Sequence, residues 1–333
     1  MNHGVYVPQG VVIDCAKKKG INSAAWFYNY KINSVCITRN DTYHKALLYE
    51  SSDKWNKFNF TKKEEDKIDK YLLSKRKGTM DMEYYFKNPS FDIENYFIKL
   101  GIDKNKPIIS LATNMLWDAQ VYFPTNFFSN MIEWLYFTID YFEKRKDLQL
   151  LIRVHPAEVD QNKPSKQRVV DSIMKKYKVL PSNVFIIKPE VSLSTYSIIE
   201  NSNSLIVYGS KIATESAANA IPTIVCGESF IKNKSITFDV FNKEEYTMLL
   251  DKLPFDKNVL SKENLRLAKK YAYHFWFRRT IFVNSLLLRK NKSPNVGIKK
   301  NYIELYENNN DKGLSSIVNA ILKGEDFINK DEI

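Results

Sequence analysis

The sequence predicts an α/β protein whose central part is a doubly wound parallel sheet. Between residues 105 and 226, short apolar runs alternate with amphipathic stretches. The apolar runs have the length of buried strands, and the stretches between them have the apolar spacing of helices. Strands that alternate with helices favour a parallel sheet, and right-handed crossovers place the loops after the strands along one edge.

The predicted elements of this central part follow one another closely along the chain. We predict strands over residues 107–113, 148–154, 184–188, 204–208 and 222–226. We predict helices over residues 126–145, 165–178, 194–201 and 211–219. This order is that of a Rossmann-like domain.

The flanking parts of the chain have a less regular pattern. We predict N-terminal helices over residues 11–19, 60–74 and 92–100, with strands over 21–27 and 34–38. We predict a long aromatic helix from 263 to about 290 and a short one over 314–322. His3-Gly4 has the composition of a loop that follows a strand, and we see no strand before it. We therefore expect a short or truncated α/β domain over 1–104, a Rossmann-like domain over 105–260, and C-terminal helices over 261–333 that pack back across the domains.

Composition excludes several classes of protein. A chain of 333 residues that is 44% hydrophobic and 26% charged is globular rather than disordered or collagen-like. The sequence contains no run of about 18 apolar residues, so we expect no segment that spans a bilayer. The first residues lack the basic and apolar regions of a signal peptide. Cys15, Cys36 and Cys226 are too far apart for a zinc ligand set, and we expect them to be small buried hydrophobes. We expect a soluble, cytoplasmic protein without a bound metal.

The net charge of +12 does not by itself identify a partner. Of the 50 basic residues, 41 are Lys and 9 are Arg, whereas nucleic-acid readers concentrate Arg. No helix-turn-helix pattern and no platform of aromatic and Arg residues is visible, so we expect no nucleic-acid partner. A solvated lysine surface is the simplest interpretation. Attraction to an anionic membrane face or to a phosphorylated substrate are the alternatives.

Three loops after predicted strands carry unusual polar side chains. They hold Thr113, Asn114, Trp117 and Asp118 after the first strand, Arg153, His155, Pro156 and Glu158 after the second, and Gly209, Ser210, Lys211, Thr214 and Glu215 after the fourth. Ligands bind at this edge of an open parallel sheet. Backbone N–H groups at the start of a helix suit a phosphate, and Glu215, one turn later, suits a ribose diol. Three such loops at one edge predict a ligand site.

Structural alternatives stand beside these assignments. Arg153 could form a structural ion pair within the protein, and Lys211 could be a solvated lysine. Glu158 could only cap the next turn. His155 could be a packing or capping residue, as a histidine after a strand often is.

The motifs in these loops resemble one family. RVHPAE at 153–158 and YGSKIATESAANAIPTIV at 208–225 are similar to bacterial capsule polysaccharide synthesis proteins, relatives of the Kdo transferases of capsule export. HGVYVPQG at 3–10, DTYH at 41–44, TNMLWDAQ at 113–120 and YAYHFWFRR at 271–279 extend the resemblance over most of residues 1–285. It implies a GT-B-like fold of two Rossmann-like domains, in which 105–260 binds the nucleotide sugar and the short N-terminal domain lies on the acceptor side.

The resemblance also implies an activity. A member of this family is a glycosyltransferase of capsule or surface polysaccharide biosynthesis, which transfers a sugar such as Kdo from a CMP-sugar to a glycan or lipid-linked acceptor. It needs no metal and no cofactor beyond the nucleotide-sugar co-substrate. It works in the cytoplasm, in peripheral contact with the inner membrane and with polysaccharide assembly proteins. The alternatives are a truncated, non-catalytic binding subunit of an assembly complex, a GT-B-like epimerase, or a polyol-phosphate transferase.

The resemblance assigns roles to individual residues on the donor side. Its His-Pro pair is similar to the one with which sialyl- and Kdo-type transferases hold the phosphate of a CMP-sugar. By that likeness His155 contacts the donor phosphate. Ser210, Thr214 and Glu215 line the nucleotide. The other predicted donor-binding residues are Thr113, Asn114, Arg153, Pro156, Glu158, Gly209 and Lys211.

A transfer that inverts the anomeric carbon needs a general base near the acceptor hydroxyl. His3, Asp41 and His44 are acceptor-side candidates in predicted loops, and Asp118 is a fourth. We favour Asp118 and His44.

Without a metal, the charge of the leaving phosphate is stabilised by helix N-termini and basic groups, for which His155, Arg153 and Lys211 are the candidates.

His274 lies in an aromatic segment, and we expect it to be a core or interdomain histidine.

Overall fold

The chain forms two compact units. The computed structural model describes residues 1–77, 79–81, 86, 88–118, 123, 125–160, 164–256, 258–288, 296–307 and 310–329. The first unit consists of Met1–Tyr84 and Lys270–Ile333, and the second unit of Tyr85–Lys269. The predicted domain boundaries at residues 104 and 260 stay predictions.

Strands and helices alternate through most of the described chain. The strands are β1 (Ala24–Tyr28), β2 (Ser34–Arg39), β3 (Ile108–Ala112), β4 (Gln149–Arg153), β5 (Val184–Ile187), β6 (Ser204–Val207), β7 (Thr223–Val225), β8 (Phe238–Asp239), β9 (Ile281–Phe282), β10 (Leu286–Leu288) and β11 (Val296–Ile298). The helices are α1 (Gln9–Lys18), α2 (Tyr43–Leu48), α3 (Ser52–Asn56), α4 (Lys62–Lys77), α5 (Ile93–Leu100), α6 (Met131–Lys144), α7 (Val169–Lys176), α8 (Thr195–Glu200), α9 (Ile212–Ala218), α10 (Lys243–Asp251), α11 (Lys262–Tyr273), α12 (Tyr302–Glu307) and α13 (Lys312–Lys323).

The second unit is built on one parallel sheet with the strand order β5-β4-β3-β6-β7-β8. The chain starts in the middle at β3, adds β4 and β5 on one side, and then adds β6, β7 and β8 on the other. The five predicted strands of this sheet are confirmed, and the two-residue β8 is an addition. The order reverses between β3 and β6, which is the point where open α/β sheets bind ligands.

The sheet is buried on both faces because successive side chains of a strand point in opposite directions. Ile109 and Leu111 of β3 pack in one apolar cluster with α6, whose Trp134 and Phe142 are fully buried. Ile108 of β3 packs in a second cluster with α5 and α8. Each large buried side chain contributes about 1.5–3 kcal/mol to folding, so these two layers hold the strand ends in place.

Two predicted helices of this unit start later than predicted. The helix predicted from 126 begins at Met131, because the Asn130 side chain accepts the Glu133 N–H at 3.0 Å and caps it. The helix predicted from 165 begins at Val169, whose N–H donates to the Glu158 carboxylate. Both starts are defined by side-chain acceptors.

The first unit contains an antiparallel sheet in the order β1-β2-β9. All pairing between the described strands of this sheet is antiparallel, whereas the predicted N-terminal Rossmann-like domain would contain a parallel sheet. The segment before Gly4 pairs with β1, since the His3 N–H donates to Trp26 O at 2.7 Å and the Trp26 N–H donates to Met1 O at 2.8 Å. A single bridge residue, Asn2, thus precedes His3-Gly4, and the first strand of the described chain is β1.

The long helix predicted from 263 to about 290 is wrong in its second half. Helix α11 ends at Tyr273, a π-helical turn covers His274–Arg278, and β9 and β10 follow. Ile281 pairs with Val35 of β2, a partner far away in the sequence. The spacing of apolar residues within this segment does not predict a strand that pairs with β2, because pairing with a distant strand overrides local preference.

His274 is a core histidine of the first unit, which is one of the two predicted alternatives. Its Nε2 lies 3.0 Å from Glu50 Oε2, and both side chains are almost fully buried. Arg279 Nε lies 3.6 Å from the other oxygen of Glu50. Burial lowers the pKa of His274.

The three cysteines do not share one environment. Cys36 and Cys226 are buried, as expected, whereas Cys15 is exposed, so the expectation is wrong for Cys15. The helices that the structure describes include none that is both long enough and apolar enough to cross a membrane.

We expect Gly313→Ala to destabilise the first unit. A Cβ at position 313 would lie 1.7 Å from the carbonyl oxygen of Phe282, so the start of α13 would have to move. Overpacking of this kind costs about 1–3 kcal/mol or more. Urea unfolding followed by tryptophan fluorescence measures the loss. Ser315→Ala on the same helix is the control, and equal stability of the two variants would contradict the prediction.

Candidate functional site

The loops after β3 and β6 are joined at the point where the strand order reverses. Asn114 follows β3, and its Nδ2 donates to Gly209 O at 2.8 Å. The Gly209 N–H makes a longer contact of 3.5 Å with Asn114 Oδ1. Asn114 is buried, so both contacts are shielded from water. The amide of Asn114 therefore holds the start of the Gly209–Lys211 loop beside the end of β3.

The loops after β3 and β4 are joined in a similar way. The Thr113 N–H donates to Arg153 O at 3.1 Å, which extends the pairing of the two strands. The Thr113 hydroxyl accepts the His155 N–H, also at 3.1 Å. Thr113 and Asn114 are adjacent in the sequence. Together they therefore connect all three predicted polar loops, those after β3, β4 and β6.

His155 is held as a neutral hydrogen-bond donor. Its Nδ1 accepts the Ala157 N–H at 3.1 Å, so the proton of the neutral ring lies on Nε2. Burial, together with the positive charges of Lys211 and Arg153, lowers the pKa of His155 to about 4. Pro156 starts the short 3₁₀ turn that follows and restricts its backbone. At neutral pH the Nε2–H of His155 is therefore a hydrogen-bond donor on an uncharged ring.

Arg153 is buried and bound to backbone carbonyls. Its guanidinium donates to Lys188 O at 2.7 Å, to Val191 O at 3.0 Å and more weakly to Leu193 O at 3.4 Å. Burial lowers its pKa to about 10. The contacts are structural, as in the predicted alternative, but carbonyls take the place of an ion-pair partner. Arg153 thereby holds the loop after β5.

Glu158 caps a helix, which is the structural alternative predicted for it. Its carboxylate is fully buried and accepts the Val169 N–H at the start of α7, at 3.1 Å and 3.3 Å to its two oxygens. Burial raises the pKa of Glu158 to about 7, although the Val169 N–H and the Arg168 charge act in the opposite direction. Glu158 organises the turn after His155.

The loop after β6 leads into the short helix α9. The Ile212 N–H contacts Ser210 Oγ at 3.5 Å, and Lys211 immediately precedes the helix. Thr214 is fully buried, and its Oγ1 has no hydrogen-bond partner among the described residues. Glu215 is buried and accepts the Tyr196 O–H at 2.7 Å. These polar groups therefore follow β6 directly, and two of them, Thr214 and Glu215, are buried within α9.

Asp118 and Trp117 lie in the turn after Asn114. The Asp118 N–H donates to Met115 O at 3.1 Å, and the Trp117 indole N–H donates to Ser165 Oγ at 3.0 Å. Asp118 is half-buried. Ala119 and Gln120, the end of the TNMLWDAQ motif, lie outside the described residues.

The acceptor-side candidates lie in the first unit. The His3 ring packs edge-on against Tyr43, with 5.2 Å between ring centres, and His44 is buried in α2 beside Tyr43. Asp41 pairs with Lys17 at 2.7 Å and accepts the Thr42 N–H at 2.8 Å. The structure thus groups His3 and His44 around one tyrosine, while Asp41 supports the turn before α2.

The loop after β7 was not predicted as part of the site. The Gly227 N–H donates to Tyr208 O at 2.6 Å, and a Cβ on Gly227 would lie 2.9 Å from that oxygen. Glu228 is buried and accepts the Thr125 N–H at 2.9 Å, while its own N–H donates to Asn126 Oδ1 at 2.6 Å. The sequence could have predicted this loop by the same criterion as the other loops, because Gly227 and Glu228 directly follow the strand predicted over 222–226.

Metal ligation receives no support from geometry. Within the described ranges, no group of three or more His, Cys, Asp or Glu side chains is arranged to hold a metal ion. Metal independence stays a prediction.

Comparison with solved structures identifies the fold. The chain is similar to the beta-Kdo 2,4 transferase of Thermosulfurimonas dismutans KpsC, with a TM-score of 0.54 and 11% identity over 84% of this chain and 79% of that chain. The predicted GT-B-like fold is confirmed. No protein-family model and no curated protein matches the chain.

Two further structures are similar over different shares of the chain. The beta-Kdo 2,7 transferase of the same KpsC has a TM-score of 0.41 and 12% identity, over 86% of this chain and 78% of that chain. S. aureus MnaA, in a co-structure with UDP, has a TM-score of 0.34 and 15% identity, over 54% of this chain and 43% of that chain.

We expect Glu158→Gln to change how stability depends on pH. Because the folded pKa is raised to about 7, the stability from this carboxyl is complete below about pH 4.5 and is lost as the pH rises to about 7. The E158Q variant still accepts the Val169 N–H and buries no charge. We expect its stability relative to the wild type to rise across this window, by about 3 kcal/mol at most. Urea unfolding at about pH 5, 6 and 7.5 measures it.

Glu244→Gln is the control for this comparison, since Glu244 is exposed in the first turn of α10 and is not among the charges that act on Glu158. Any pH dependence from His155 is common to both proteins and cancels in the difference. A constant difference between E158Q and the wild type across the window would contradict the raised pKa.

We expect Asn114→Ala to loosen the Gly209–Lys211 loop. Loss of a buried amide hydrogen bond costs about 1–1.5 kcal/mol, so amide hydrogen exchange in this loop should become about tenfold faster. Asn201→Ala is the matched control, because Asn201 Nδ2 also donates to a carbonyl, that of Ser197, at 2.8 Å. Equal exchange of the loop in both variants would show that Asn114 does not hold it.

Proposed function

We propose that the chain is a metal-independent glycosyltransferase of capsule or surface polysaccharide biosynthesis. It transfers a sugar from a nucleotide donor to a glycan or lipid-linked acceptor, and CMP-Kdo is the donor that we favour. The observation that carries this proposal is that Thr113 and Asn114, at the end of β3, hold by hydrogen bonds both His155, whose ring proton lies on Nε2, and the Gly209–Lys211 loop. Both follow strands at the edge where the parallel sheet reverses its order.

The donor side stabilises the leaving nucleotide phosphate. In the transfer, the bond between the anomeric carbon and the phosphate oxygen breaks, and that oxygen keeps the electron pair. His155 donates its Nε2–H to the phosphate, and Lys211 compensates the growing negative charge. Ser210 and the backbone of Gly209 complete the contacts. These groups are effective because hydrogen bonds already hold their loops in position before the donor binds.

The nucleoside contacts the β6 side of the site. Glu215 accepts hydrogen bonds from the ribose hydroxyls, and the Tyr196 hydroxyl fixes the orientation of its carboxylate. Thr214 supplies a buried hydroxyl that the described protein leaves without a hydrogen-bond partner. A ligand oxygen or nitrogen would satisfy it.

The acceptor hydroxyl attacks the anomeric carbon and gives its proton to a general base. Asp118 and His44 are the residues that we propose for this role, with His3 and Asp41 as further acceptor-side groups. The new bond joins the acceptor oxygen to the anomeric carbon, and the nucleotide leaves. A lipid-linked acceptor would bring the enzyme to the cytoplasmic face of the inner membrane, in contact with assembly proteins.

Calorimetric titration with CMP, CDP, UDP and GDP tests this proposal. We expect selective binding of CMP. His155→Asn retains an acceptor for the Ala157 N–H but removes the Nε2–H, so we expect CMP binding to weaken about 10-fold to 100-fold. Glu215→Ala should weaken it to a similar degree. Asp171→Ala, at an exposed position of α7, is the control and should bind CMP like the wild type.

Other outcomes of the same titration separate the alternatives. Selective binding of UDP or GDP, weakened by the same two substitutions, would support a transferase or epimerase with another donor. Absence of binding to any of the four nucleotides would contradict the enzymatic proposal. It would support a non-catalytic binding subunit.

A further inference from the structure

The two units differ strongly in charge. The first unit carries 26 Lys and Arg against 17 Asp and Glu, a net charge of +9. The second unit, although larger, carries 24 against 21, a net charge of +3. Most of the positive charge of the chain therefore belongs to the unit that does not contain the parallel sheet. An excess of this size attracts anionic surfaces.

The same unit exposes most of the large apolar side chains. Of the 24 that are exposed among the described residues, 17 lie in the first unit. Isolated exposed apolar residues are normal, but neighbouring ones indicate an interaction surface. A group of neighbours lies at the start of α1 and in the loop before it. Val7 is 83% exposed, and Tyr6, Val11 and Val12 are each exposed by 40% or more.

The geometry of α1 places lysines in line with these valines. Residues seven positions apart lie on the same face of a helix, so Lys18 follows Val11, and Lys19, which caps the helix, follows Val12. The opposite face of α1 is buried through Gly10 and Ile13. The solvent face therefore has an apolar end and, about 10 Å further along the axis, a basic end of two lysines, with the exposed carboxylate of Asp14 between them.

A second exposed apolar helix has the opposite charge pattern. Tyr302, Ile303 and Tyr306 of α12 are exposed, and no residue of this helix is buried. The charged residues among them are Glu304 and Glu307, which an anionic surface would repel. Of these two surfaces, only that of α1 combines apolar exposure with positive charge.

We propose that the face formed by Tyr6, Val7, Val11, Val12, Lys18 and Lys19 docks on an anionic phospholipid bilayer. Tyr6, Val7 and the two valines of α1 enter the apolar edge of the bilayer. Lys18 and Lys19 stay at the level of the phosphate groups. Apolar insertion and lysine–phosphate attraction are both needed, as in other amphipathic surface helices. This docking does not depend on the nucleotide chemistry of the second unit.

Co-sedimentation of the full chain with vesicles tests the docking face. We expect the protein to bind vesicles of phosphatidylglycerol and phosphatidylethanolamine, to bind phosphatidylcholine vesicles at least tenfold more weakly, and to be released by salt. The double variant V7D/V11D should lose about tenfold or more in binding, because two valines no longer enter the apolar layer. The double variant K18E/K19E should lose a similar factor.

Matched controls come from the second unit. Val179 is 85% exposed, and Val179→Asp should leave vesicle binding unchanged. K175E/K178E alters the net charge by the same amount as K18E/K19E at exposed positions and should have a much smaller effect. Unchanged melting temperatures and nucleotide binding would show that all variants are folded.

Three results would overturn the proposal. The first is failure of the wild type to bind anionic vesicles. The second is equal binding by the α1 variants and their controls. The third is a wild-type dimer that V7D/V11D converts to monomers without loss of vesicle binding, since the face would then join two copies of the chain. Nucleotide titration remains interpretable in each case, so failure of this proposal is distinguishable from failure of the proposed activity.

Discussion

Hydrogen bonds between neighbouring strand-end loops are the constraint on which the candidate site depends. Within a parallel sheet the strands are aligned by their ladders, but the loops that leave the strands have no ladder of their own. Thr113 and Asn114 provide the missing connections, one to the backbone of His155 and the other to that of Gly209. Both lie at the end of β3, the strand from which the sheet grows in both directions. The predicted donor residues are therefore positioned from a single central strand.

Buried polar side chains support this arrangement by binding the backbone. Arg153 holds the loop after β5 through carbonyl oxygens, and Glu158 holds the start of α7 through an N–H. Burial lowers the pKa of His155 and raises that of Glu158, so both residues favour the neutral form compared with the free side chains. At neutral pH His155 is therefore uncharged, whereas Glu158 loses its proton as the pH rises through about 7. Positive charge near His155 comes from Arg153 and Lys211.

The two units have different physical characters. The second unit contains the sheet edge with its polar loops and is almost neutral overall. The first unit has a net charge of +9, an exposed apolar face on α1, and a buried cluster in which Glu50 contacts His274 and Arg279. Binding a small anionic donor requires fixed polar groups in a protected crevice. Docking on an extended anionic surface requires exposed apolar and basic groups.

The sequence by itself determined the strands of the parallel sheet and the edge at which the candidate residues lie. Apolar runs and strand order are local signals, and they sufficed to place Asn114, His155 and Gly209 in loops at one edge. Only the tertiary structure decided what each side chain contacts. Arg153 binds carbonyls and the segment after Tyr273 pairs with β2, because in both cases the partner is distant in sequence. Local pattern carries no information about such partners, since they are brought close only by the packing of the complete sheet.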